Sequence, residues 1–560
     1  MPRHLSILAL AAFLTFFAGL GRAAISDSDE AFYAEAAREM VESGDWLTPT
    51  YNYEPRFEKP ILYYWLAAGA FEAGGVTEAA ARFPSALAGL AMAFLTYACG
   101  RRWFNPAVGF IAGLIVATNF GYYAIGRLAL PDLPLAFFIT LSTWAALEGL
   151  RPVRHTPIQA ASERAWLLLS AAAAGLAFLT KGPVGAALPA LVVGGTLVAV
   201  RDWRRAGRTL PFTIGDVVLA LLVFLLVAAP WYIAMVEHHG VGYLHRFFVG
   251  ENLERFATGR YNEPRPPGFY VPIVFGGLLP WSAFMLLWIP GLVGRIRRRR
   301  GLHPDEWRLV LWAGLPLIFY SFSIGQQPRY VLPILPPLAL LIARTVHARI
   351  VAASEAGRRI DPALAGCTTA SALVLLALGL ALRRGAPLLF ALDPRMGLVA
   401  VVAVVAVAFV IAGIAWLGRP AHVVGALAAG SVVTLLALHY SVYSARGLDP
   451  VQRMADLFAR HHTADTQAGT YRVFVRNLVF YTGVRQTDIF SEDQLDAFLR
   501  APHRVMCVLR DKDLARVERT LQPLRLGEVT YFNPAALRLR ALIWPDPRRD
   551  LEHVWLVANR

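Results

Sequence analysis

Residues 397–417 read GLVAVVAVVAVAFVIAGIAWL and contain no charged residue. A helix of about 20 apolar residues is long enough to cross the hydrocarbon core of a bilayer. Comparable apolar runs recur along the chain, near 5–21, 80–98, 107–125, 133–150, 165–180, 183–200, 212–233, 271–292, 309–323, 331–346, 363–382 and 422–441. The sequence therefore predicts a mainly α-helical, polytopic membrane bundle with about 13 transmembrane helices.

The composition of the whole chain agrees with this class of protein. Of its 560 residues, 56% are hydrophobic and only 17% are charged, whereas soluble domains average roughly 45–50% apolar and about 25% charged residues. A cytosolic enzyme and a disordered protein are excluded by this balance. The three cysteines lie far apart without a CxxC pair, which gives little support to a disulfide scaffold or a metal site.

The net charge of +15 has two possible origins, nucleic-acid binding and membrane topology. Only three of the 54 basic residues are lysines, and arginines cluster after alternate apolar runs, as at Arg101–Arg102, between Arg344 and Arg359, and at Arg419. Such clusters mark the cytoplasmic loops of membrane proteins. The positions of the basic residues therefore indicate which loops are cytoplasmic. We expect membrane lipids among the partners of this protein, and no nucleic acid.

This topology predicts two domains. Residues 1–445 form a transmembrane domain, in which residues 26–79 make the first outer loop, and residues 446–560 form a small outer α/β domain. The run 5–21 is also compatible with a signal peptide, because small residues follow it at Ala23–Ala24. In both cases residue 26 and the loop after it emerge on the outer side.

Local patterns predict the elements outside the bilayer. The stretch 61–73 is apolar but too short to span, which favours an interfacial helix. Alternating apolar residues in YRVFVRNLVFYTG (471–483) and RVMCVLRD (504–511) are typical of strands. Ser491 and Gln494 form a capping-box pattern, which predicts the start of a helix.

Charged residues of the first outer loop are the first candidates for chemistry. Asp27, Asp29 and Glu30 open a predicted amphipathic helix that also carries Tyr33. Acidic residues are favourable at a helix N-terminus, so capping explains one of them without any catalytic role. Three carboxylates beside a bilayer exceed what capping requires.

Lys59 is unusual because this chain uses arginine nearly everywhere else. Lysine is a compact, rotatable cation that suits a phosphate oxygen, whereas arginine presents a planar fork. The alternative is an interfacial lysine that extends its ammonium group towards water.

Further candidates lie in the other outer loops, and they include both signs of charge and a phenol. They are Arg127, Asp132, Lys181, Arg255, Arg329 and Tyr330. Carboxylates, cations and a phenol at one membrane face suit a substrate with a phosphate head and a hydrocarbon tail.

Seven segments occur in an order that resembles a known superfamily. They are DEAFYAEAAREMVESGDWLTP (29–49), FEKPILYYW (57–65), AARFPSAL (80–87), TKGPVG (180–185), FFVGENLERF (247–256), PWSAF (280–284) and RYVLPILPPLALL (329–341). The chain resembles the polytopic GT-C class glycosyltransferases, in particular the bacterial lipid A aminoarabinose transferases and the protein O-mannosyltransferases. The resemblance covers the chain to about residue 340 and extends beyond it by architecture.

The resemblance implies roles for particular residues. Asp29, Asp132 and Lys59 match catalytic positions, and Lys59, Arg255 and Tyr330 match groups around the donor phosphate. The remaining candidates for substrate binding are Asp27, Glu30, Tyr33, Glu58, Arg127, Lys181 and Arg329.

One position departs from the family pattern. Glu58 matches a metal contact, but Gly250 stands where a partnering histidine is expected. We therefore expect no cofactor, and a divalent metal is possible but not required.

The expected reaction moves a sugar from a polyprenyl (undecaprenyl) phosphate carrier to an acceptor at the outer face of a bacterial inner membrane. The sugar expected from the resemblance is 4-amino-4-deoxy-L-arabinose, and the acceptor is lipid A or a similar molecule. One alternative keeps the donor and uses a protein hydroxyl as acceptor. A lipid or sugar transporter is the other, although transporters place ionisable residues near the bilayer midplane.

Overall fold

The computed structural model describes residues 2–151, 157–199, 212–259, 264–297, 303–389, 394–443, 450–533, 540 and 544–560. The first part of the chain forms α1 (Pro2–Phe16), α2 (Asp29–Ser43), α3 (Leu62–Gly74), α4 (Glu78–Trp103), α5 (Pro106–Thr118), α6 (Phe120–Gly126), α7 (Asp132–Gly149), α8 (Pro157–Lys181), α9 (Val184–Ala199) and α10 (Ile214–His239). The next part forms α11 (Tyr270–Gly277), α12 (Met285–Arg297), α13 (Pro304–Ser321), α14 (Leu335–Glu355), α15 (Pro362–Leu389), α16 (Pro394–Leu417) and α17 (His422–Leu438). Shorter helical segments join them, at Gly242–Leu244, His245–Glu254, Arg255–Ala257, Trp281–Phe284, Pro328–Ile334 and His439–Tyr443.

Every predicted apolar run coincides with a helix or with a bent pair of helices. In the described part of the chain, seven helices are long and apolar enough to span a membrane, or nine if each bent pair counts as one span. The pair α5–α6 bends by 52°, and the pair around α11 and α12 bends by 109°. α1 and α9 are apolar but shorter, and α7 and α13 carry more polar residues. A multi-span helical membrane protein is confirmed, while the predicted number of spans stays a prediction.

The helices share one apolar core. α1 belongs to it, since Leu8, Ala12 and Phe16 are fully buried against neighbouring helices. α4 and α5 cross closely, and a Cβ atom on Gly109 would lie 2.5 Å from the carbonyl oxygen of Tyr97. Small residues permit such close helix approach in membranes, where packing and not water exclusion drives association.

Ion pairs join helix ends at one end of the bundle. The Nε atom of Arg102 lies 2.5 Å from Glu148, and Arg151 lies 3.0 Å from Asp305. Arg102 in the last turn of α4 thus pairs with α7, and Arg151, just after α7, pairs with α13. This arrangement agrees with the predicted basic side of the membrane, and the first outer loop lies at the opposite end of α4.

The first outer loop contains two helices, as predicted. Ser28 caps the N-terminus of α2 by accepting a hydrogen bond from the amide of Glu30, and Gly44 ends the helix with a φ of 71°. Only glycine adopts this backbone conformation without strain. α3 corresponds to the apolar stretch 61–73, and a two-stranded hairpin of β1 (Thr50–Tyr51) and β2 (Glu54–Pro55) lies between the two helices.

The C-terminal residues form a mixed sheet flanked by helices. Its strands are β3 (Gln467–Tyr471), β4 (Gln486–Ile489), β5 (Val505–Arg510), β6 (Leu524–Phe532) and β7 (Leu551–Ala558), in the order β4-β3-β5-β7-β6. β3 pairs in parallel with β4 and β5, and β7 pairs antiparallel with β5 and β6. The helices α18 (Pro450–His461), α19 (Leu478–Thr482), α20 (Glu492–Leu499) and α21 (Asp511–Thr520) cover it. The predicted domain boundary at 445/446 lies outside the described residues.

Two of the three local predictions for this domain are confirmed. β5 matches the stretch 504–511, and Ser491 and Gln494 form both hydrogen bonds of a capping box at the start of α20. The predicted strand over 471–483 is wrong. β3 ends at Tyr471, Arg472 and Phe474 adopt positive φ values of 58° and 52°, and a short helix follows. Contacts to the first outer loop, described below, hold this segment out of the sheet.

Candidate functional site

A cavity of about 830 Å³ lies beside the first outer loop. The ends of α7 and α8, the π-helical segment His245–Glu254 and the 3₁₀ segment Pro328–Ile334 complete its wall. Nine of the residues predicted from the sequence line it, namely Asp29, Tyr33, Glu58, Lys59, Asp132, Lys181, Arg255, Arg329 and Tyr330. Residues separated by up to 301 positions in the chain therefore meet at one place.

The two predicted catalytic carboxylates lie in a chain of alternating charges. Lys181 donates to Asp132 at 2.5 Å, and the Nε atom of Arg329 lies 3.3 Å from the second oxygen of Asp132. Arg329 also pairs with Asp29. Both carboxylates begin helices, where the helix dipole favours negative charge, and Lys181 ends a helix, where it favours positive charge. The fold thus fixes both carboxylates through cations.

The protonation state of Asp29 follows from these contacts. Burial is the largest single influence and acts to raise the pKa of Asp29, but the neighbouring cations, Arg329 foremost, together hold the pKa below its ordinary value. Lys181 and Arg476 act in the same direction. Asp29 is therefore an anion at neutral pH and a weak base.

Lys59 has a different environment from the other cations. Its ammonium group donates to the main-chain oxygen of Glu58 at 2.8 Å, and within the described residues it makes no ion pair with a carboxylate. Burial, together with Arg255 and Lys181 nearby, lowers the pKa of Lys59 to about 7. An anion is needed to compensate the positive charge of Lys59. The cavity is the open space through which such an anion can approach its ammonium group.

Arg255 enters the cavity directly after the π-helical segment, as the first residue of the short helix Arg255–Ala257. It lies 2.7 Å from Glu251, one turn earlier, which fixes the direction of its side chain. π-helical turns are rare and occur frequently at functional sites. Here the irregular turn brings Glu251, Asn252 and Arg255 into the same wall.

Aromatic rings form the less polar part of the cavity. The Nζ atom of Lys181 lies 5.0 Å from the centre of the Tyr330 ring, a distance that allows a cation–π contact. Tyr33 packs edge-on against Tyr63 at 5.4 Å. Burial raises the pKa of Tyr33 well above its ordinary value, so its phenol stays neutral.

The structure does not bring three predicted residues to the cavity. Glu30 is fully buried and pairs with Arg82 at 2.7 Å, which joins α2 to α4. Asp27 accepts a hydrogen bond from the amide of Arg476 at 2.8 Å, in the C-terminal domain. Arg127 donates to the carbonyl oxygens at the end of α1. All three side chains make contacts within the scaffold outside the cavity wall, and their part in substrate binding stays a prediction.

Sequence reasoning missed several residues in the cavity wall, Arg56 and Phe32 among them. Arg56 lies with its guanidinium 4.0 Å from the centre of the Phe32 ring, and both residues line the cavity. Arg56 also lies 3.3 Å from Glu58. Its position three residues before Lys59, in the same loop, was the available signal.

A metal implied by the family pattern does not fit the residues present. Glu58 is close to Arg56, which competes with a cation for its oxygen atoms. A Cβ on Gly250 would meet open space, so the position that carries a histidine in the pattern holds no ligand here. Within the described ranges, no group of three or more histidine, cysteine, aspartate or glutamate side chains is arranged to hold a metal ion.

Comparisons with known proteins agree with the motifs. Residues 7–244 match the family model for dolichyl-phosphate-mannose-protein mannosyltransferase. The chain is 32% identical over 340 residues to undecaprenyl phosphate-alpha-4-amino-4-deoxy-L-arabinose arabinosyl transferase 2 of Proteus mirabilis, which covers 60% of this chain and 58% of that protein. It is also 32% identical over 373 residues to undecaprenyl phosphate-alpha-4-amino-4-deoxy-L-arabinose arabinosyl transferase 1 of Sodalis glossinidius. That alignment covers 66% of this chain and 63% of that protein. These alignments thus span less than two thirds of either relative.

The fold comparison extends over nearly the whole chain. The crystal structure of ArnT from Cupriavidus metallidurans bound to undecaprenyl phosphate superposes with a TM-score of 0.75 and 23% identity, covering 99% of this chain and 98% of that one. The helical bundle and the C-terminal sheet therefore share one architecture with that protein. Over parts of its length the chain is thus similar in sequence to the protein mannosyltransferase family and to the aminoarabinose transferases, the two groups that the motifs resemble, and it shares the fold of ArnT.

Proposed function

We propose that this protein transfers a sugar, 4-amino-4-deoxy-L-arabinose, from undecaprenyl phosphate to lipid A or a similar phosphorylated acceptor. The observation that carries the proposal is the position of Lys59, a cation without a carboxylate partner among the described residues, at the wall of a large cavity. The family and its relatives support the donor class. They give no support to the transporter alternative.

The donor phosphate binds at Lys59, Arg255 and Tyr330 in this proposal. Breaking the bond between the sugar and the phosphate places negative charge on the leaving oxygen. Fixed cations directed at that oxygen stabilise the transition state more than the ground state. Lys59 and Arg255 supply two such cations, and a monophosphate carries less charge than a nucleotide diphosphate.

The carboxylates act on the sugar in this proposal. Asp29 and Asp132 are held by Arg329 and Lys181, so their oxygen atoms have fixed positions. An ionised carboxylate beside the anomeric carbon stabilises positive charge there as the leaving group departs. The same carboxylates orient the acceptor.

The state of Asp29 favours a phosphate acceptor over a hydroxyl acceptor. A hydroxyl must lose its proton during attack, and a general base works best with a pKa near the operating pH. The pKa of Asp29 is lowered, which makes it a poor base. A phosphate monoester needs no base. One of its oxygens forms the new bond to the anomeric carbon, and the electron pair of the broken bond remains on the lipid phosphate.

The reaction takes place at the outer face of the bacterial inner membrane in this proposal, with the C-terminal domain in the periplasm. The cavity lies at the end of the bundle opposite the arginine-rich helix ends, which supports this orientation. Single cysteines introduced at Ser28 and Gln494 should react with a membrane-impermeant label from the periplasmic side. Labelling from opposite sides would contradict the topology.

The direct test uses purified protein, undecaprenyl phosphate-linked 4-amino-4-deoxy-L-arabinose and lipid A. We expect mass spectrometry to detect lipid A with the added sugar, together with free undecaprenyl phosphate. Dephosphorylated lipid A and a serine-containing peptide should accept no sugar. Absence of product with every acceptor would refute the proposed donor, and transfer to the peptide would establish the hydroxyl alternative.

A further inference from the structure

A loop of the C-terminal domain lies against the first outer loop, next to the cavity. This loop, residues 472–477, is anchored from both sides. Asp27 accepts from the amide of Arg476 at 2.8 Å, and Asn477 donates to the carbonyl oxygen of Ile25 at 2.9 Å. Tyr51 donates to the main chain at Arg476 over 3.3 Å. The loop therefore has one position relative to the catalytic end of the bundle.

The backbone of this loop is strained. Arg472 and Phe474 have φ values of 58° and 52°, which bulky side chains rarely adopt. Val473 and Phe474 are buried in the core of the domain, which holds the strained conformation in place. Strained residues of this kind cluster at ligand-binding and active sites, where the surrounding structure compensates for their energy.

The strained turn presents the side chain of Arg476. Its guanidinium is exposed and lies 5.2 Å from the centre of the Phe32 ring, and Phe32 lines the cavity. Within the described part of the chain, this guanidinium makes no ion pair or hydrogen bond with a carboxylate. Arg476 is thus a cation at the edge of the cavity that can accept an anionic partner.

Arg476 lies beyond the residues that line the cavity, next to Phe32, whereas Lys59 is part of the cavity wall. The charge of Arg476 acts on Asp27, Asp29 and Asp488, and the cations that act on Lys59 are Arg255, Lys181 and Arg56. A transfer between two phosphates needs a separate cationic group for each. The donor phosphate is assigned to the group around Lys59, and an acceptor phosphate must approach from another direction.

We infer that Arg476 binds the anionic phosphate of the acceptor, so that the C-terminal domain completes the acceptor site and selects phosphorylated acceptors. This inference rests on the proposed function, and it adds a residue and a domain to the site. A guanidinium recognises phosphate through parallel hydrogen bonds, which gives it geometric specificity. The bond to be formed and the bond to be broken are those described for the proposed reaction.

The test measures the KM for phosphorylated lipid A and the KM for the donor in Arg476→Gln. A hydrogen-bonded charge pair contributes enough to change binding by roughly ten- to a hundredfold. We expect the acceptor KM to rise by about this factor while the donor KM stays within about twofold. Arg476→Lys should recover part of the acceptor affinity, because it restores the charge without the fork.

Arg485→Gln is the matched control. Arg485 is an exposed arginine of the same domain and pairs with Glu54 of the first outer loop. Its removal takes away a contact between domain and loop without changing the charge beside Phe32, and both KM values should stay at the wild-type level.

If Arg476→Gln leaves the acceptor KM unchanged in a preparation whose wild-type protein is active, the inference is wrong and the proposed function stands. Equal increases in both KM values, with a lowered unfolding temperature, would show a structural role instead. An inactive wild-type protein would count against the proposed function itself.

Discussion

Lys181, the last residue of α8, donates a 2.5 Å hydrogen bond to Asp132, the first residue of α7. Two neighbouring helices thus meet at the cavity through one ion pair. Asp132 is only 4% exposed, and Arg329 lies near its second oxygen. The orientation of this carboxylate is therefore set before any substrate binds.

The first prediction concerns this pair. Removing one partner of a buried ion pair leaves an uncompensated charge and typically destabilises a protein by about 3–5 kcal/mol. We expect Asp132→Asn and Lys181→Met each to lower the unfolding temperature of the purified protein. The double variant should lose less stability than the sum of the losses in the two single variants, because the effects of substitutions at residues in contact are not additive. Additive effects would show that the two side chains do not stabilise each other.

The second prediction separates a phosphate-binding cation from an interfacial one. An interfacial anchor needs only a long, positively charged side chain, so Lys59→Arg would then retain activity. At a phosphate, the bulkier planar guanidinium is misplaced. We expect Lys59→Arg to fold and to lose sugar transfer by about 10²–10³, the usual effect of removing one well-directed donor. Lys59→Ala should be at least as impaired, while Lys512→Arg in the C-terminal domain should change nothing. Near wild-type transfer by Lys59→Arg would establish the anchor interpretation.

The third prediction follows from the pKa of Lys59. Burial and the neighbouring cations Arg255, Lys181 and Arg56 lower this pKa to about 7, and Glu251 opposes them. The cation is present below that pH and is lost above it. The value of kcat/KM for the donor, which reports the free enzyme, should therefore fall as the pH rises above about 7. In Lys59→Arg this decline should disappear, because arginine stays charged. A wild-type profile that is flat to about pH 9 would contradict the assignment.

The fourth prediction distinguishes scaffold from catalysis in the first outer loop. Glu30 and Arg82 form a fully buried ion pair, whereas Glu54 and Arg485 form an exposed one. Glu30→Gln should destabilise the protein by about 3–5 kcal/mol. Glu54→Gln should change stability by less than about 1 kcal/mol, as exposed ion pairs contribute little. Thermal unfolding in detergent measures both. A stable but inactive Glu30→Gln variant would instead assign Glu30 to the chemistry.

The fifth prediction concerns metal. In the proposed function Lys59 and Arg255 provide fixed positive charge at the donor phosphate, so we expect sugar transfer to continue after dialysis against a chelator. The assay is the same transfer reaction with and without EDTA. Loss of activity that one specific divalent metal restores would contradict this expectation and would point to Asp27 and Asp29 as ligands.

Much of the bundle was predictable because membrane spans depend on local composition. Each apolar run became a helix, and the capping pattern at Ser491 identified the start of α20. The segment 471–483 was not predictable in this way. Its alternating pattern favours a strand, but a hydrogen bond that Arg476 donates to Asp27 and one that it accepts from Tyr51, both more than 400 residues earlier, hold it as a strained loop and a short helix.

The site was predictable to the extent that residue type reveals function. Lys59 was conspicuous as a rare lysine, and Asp29 and Asp132 were matched by motif. Sequence does not show which charged residues find partners within the scaffold, as Glu30 does with Arg82 and Arg127 does with the main chain of Thr15. Arg56 was missed because a single arginine in an arginine-rich protein gives no signal.

The docking of the C-terminal domain on the first outer loop has a consequence for biosynthesis. The hydroxyl of Tyr481 accepts a hydrogen bond from the amide of Ile25, 456 residues earlier in the chain. The first outer loop is synthesised early and its partner in the C-terminal domain late. The two can therefore contact each other only after the intervening helices have been inserted. Chains fold in the order in which they emerge, domain by domain. The rim of the cavity therefore closes only near the end of synthesis, and a partly made chain inserted in the membrane has the carboxylates and cations of the site without the loop that carries Arg476.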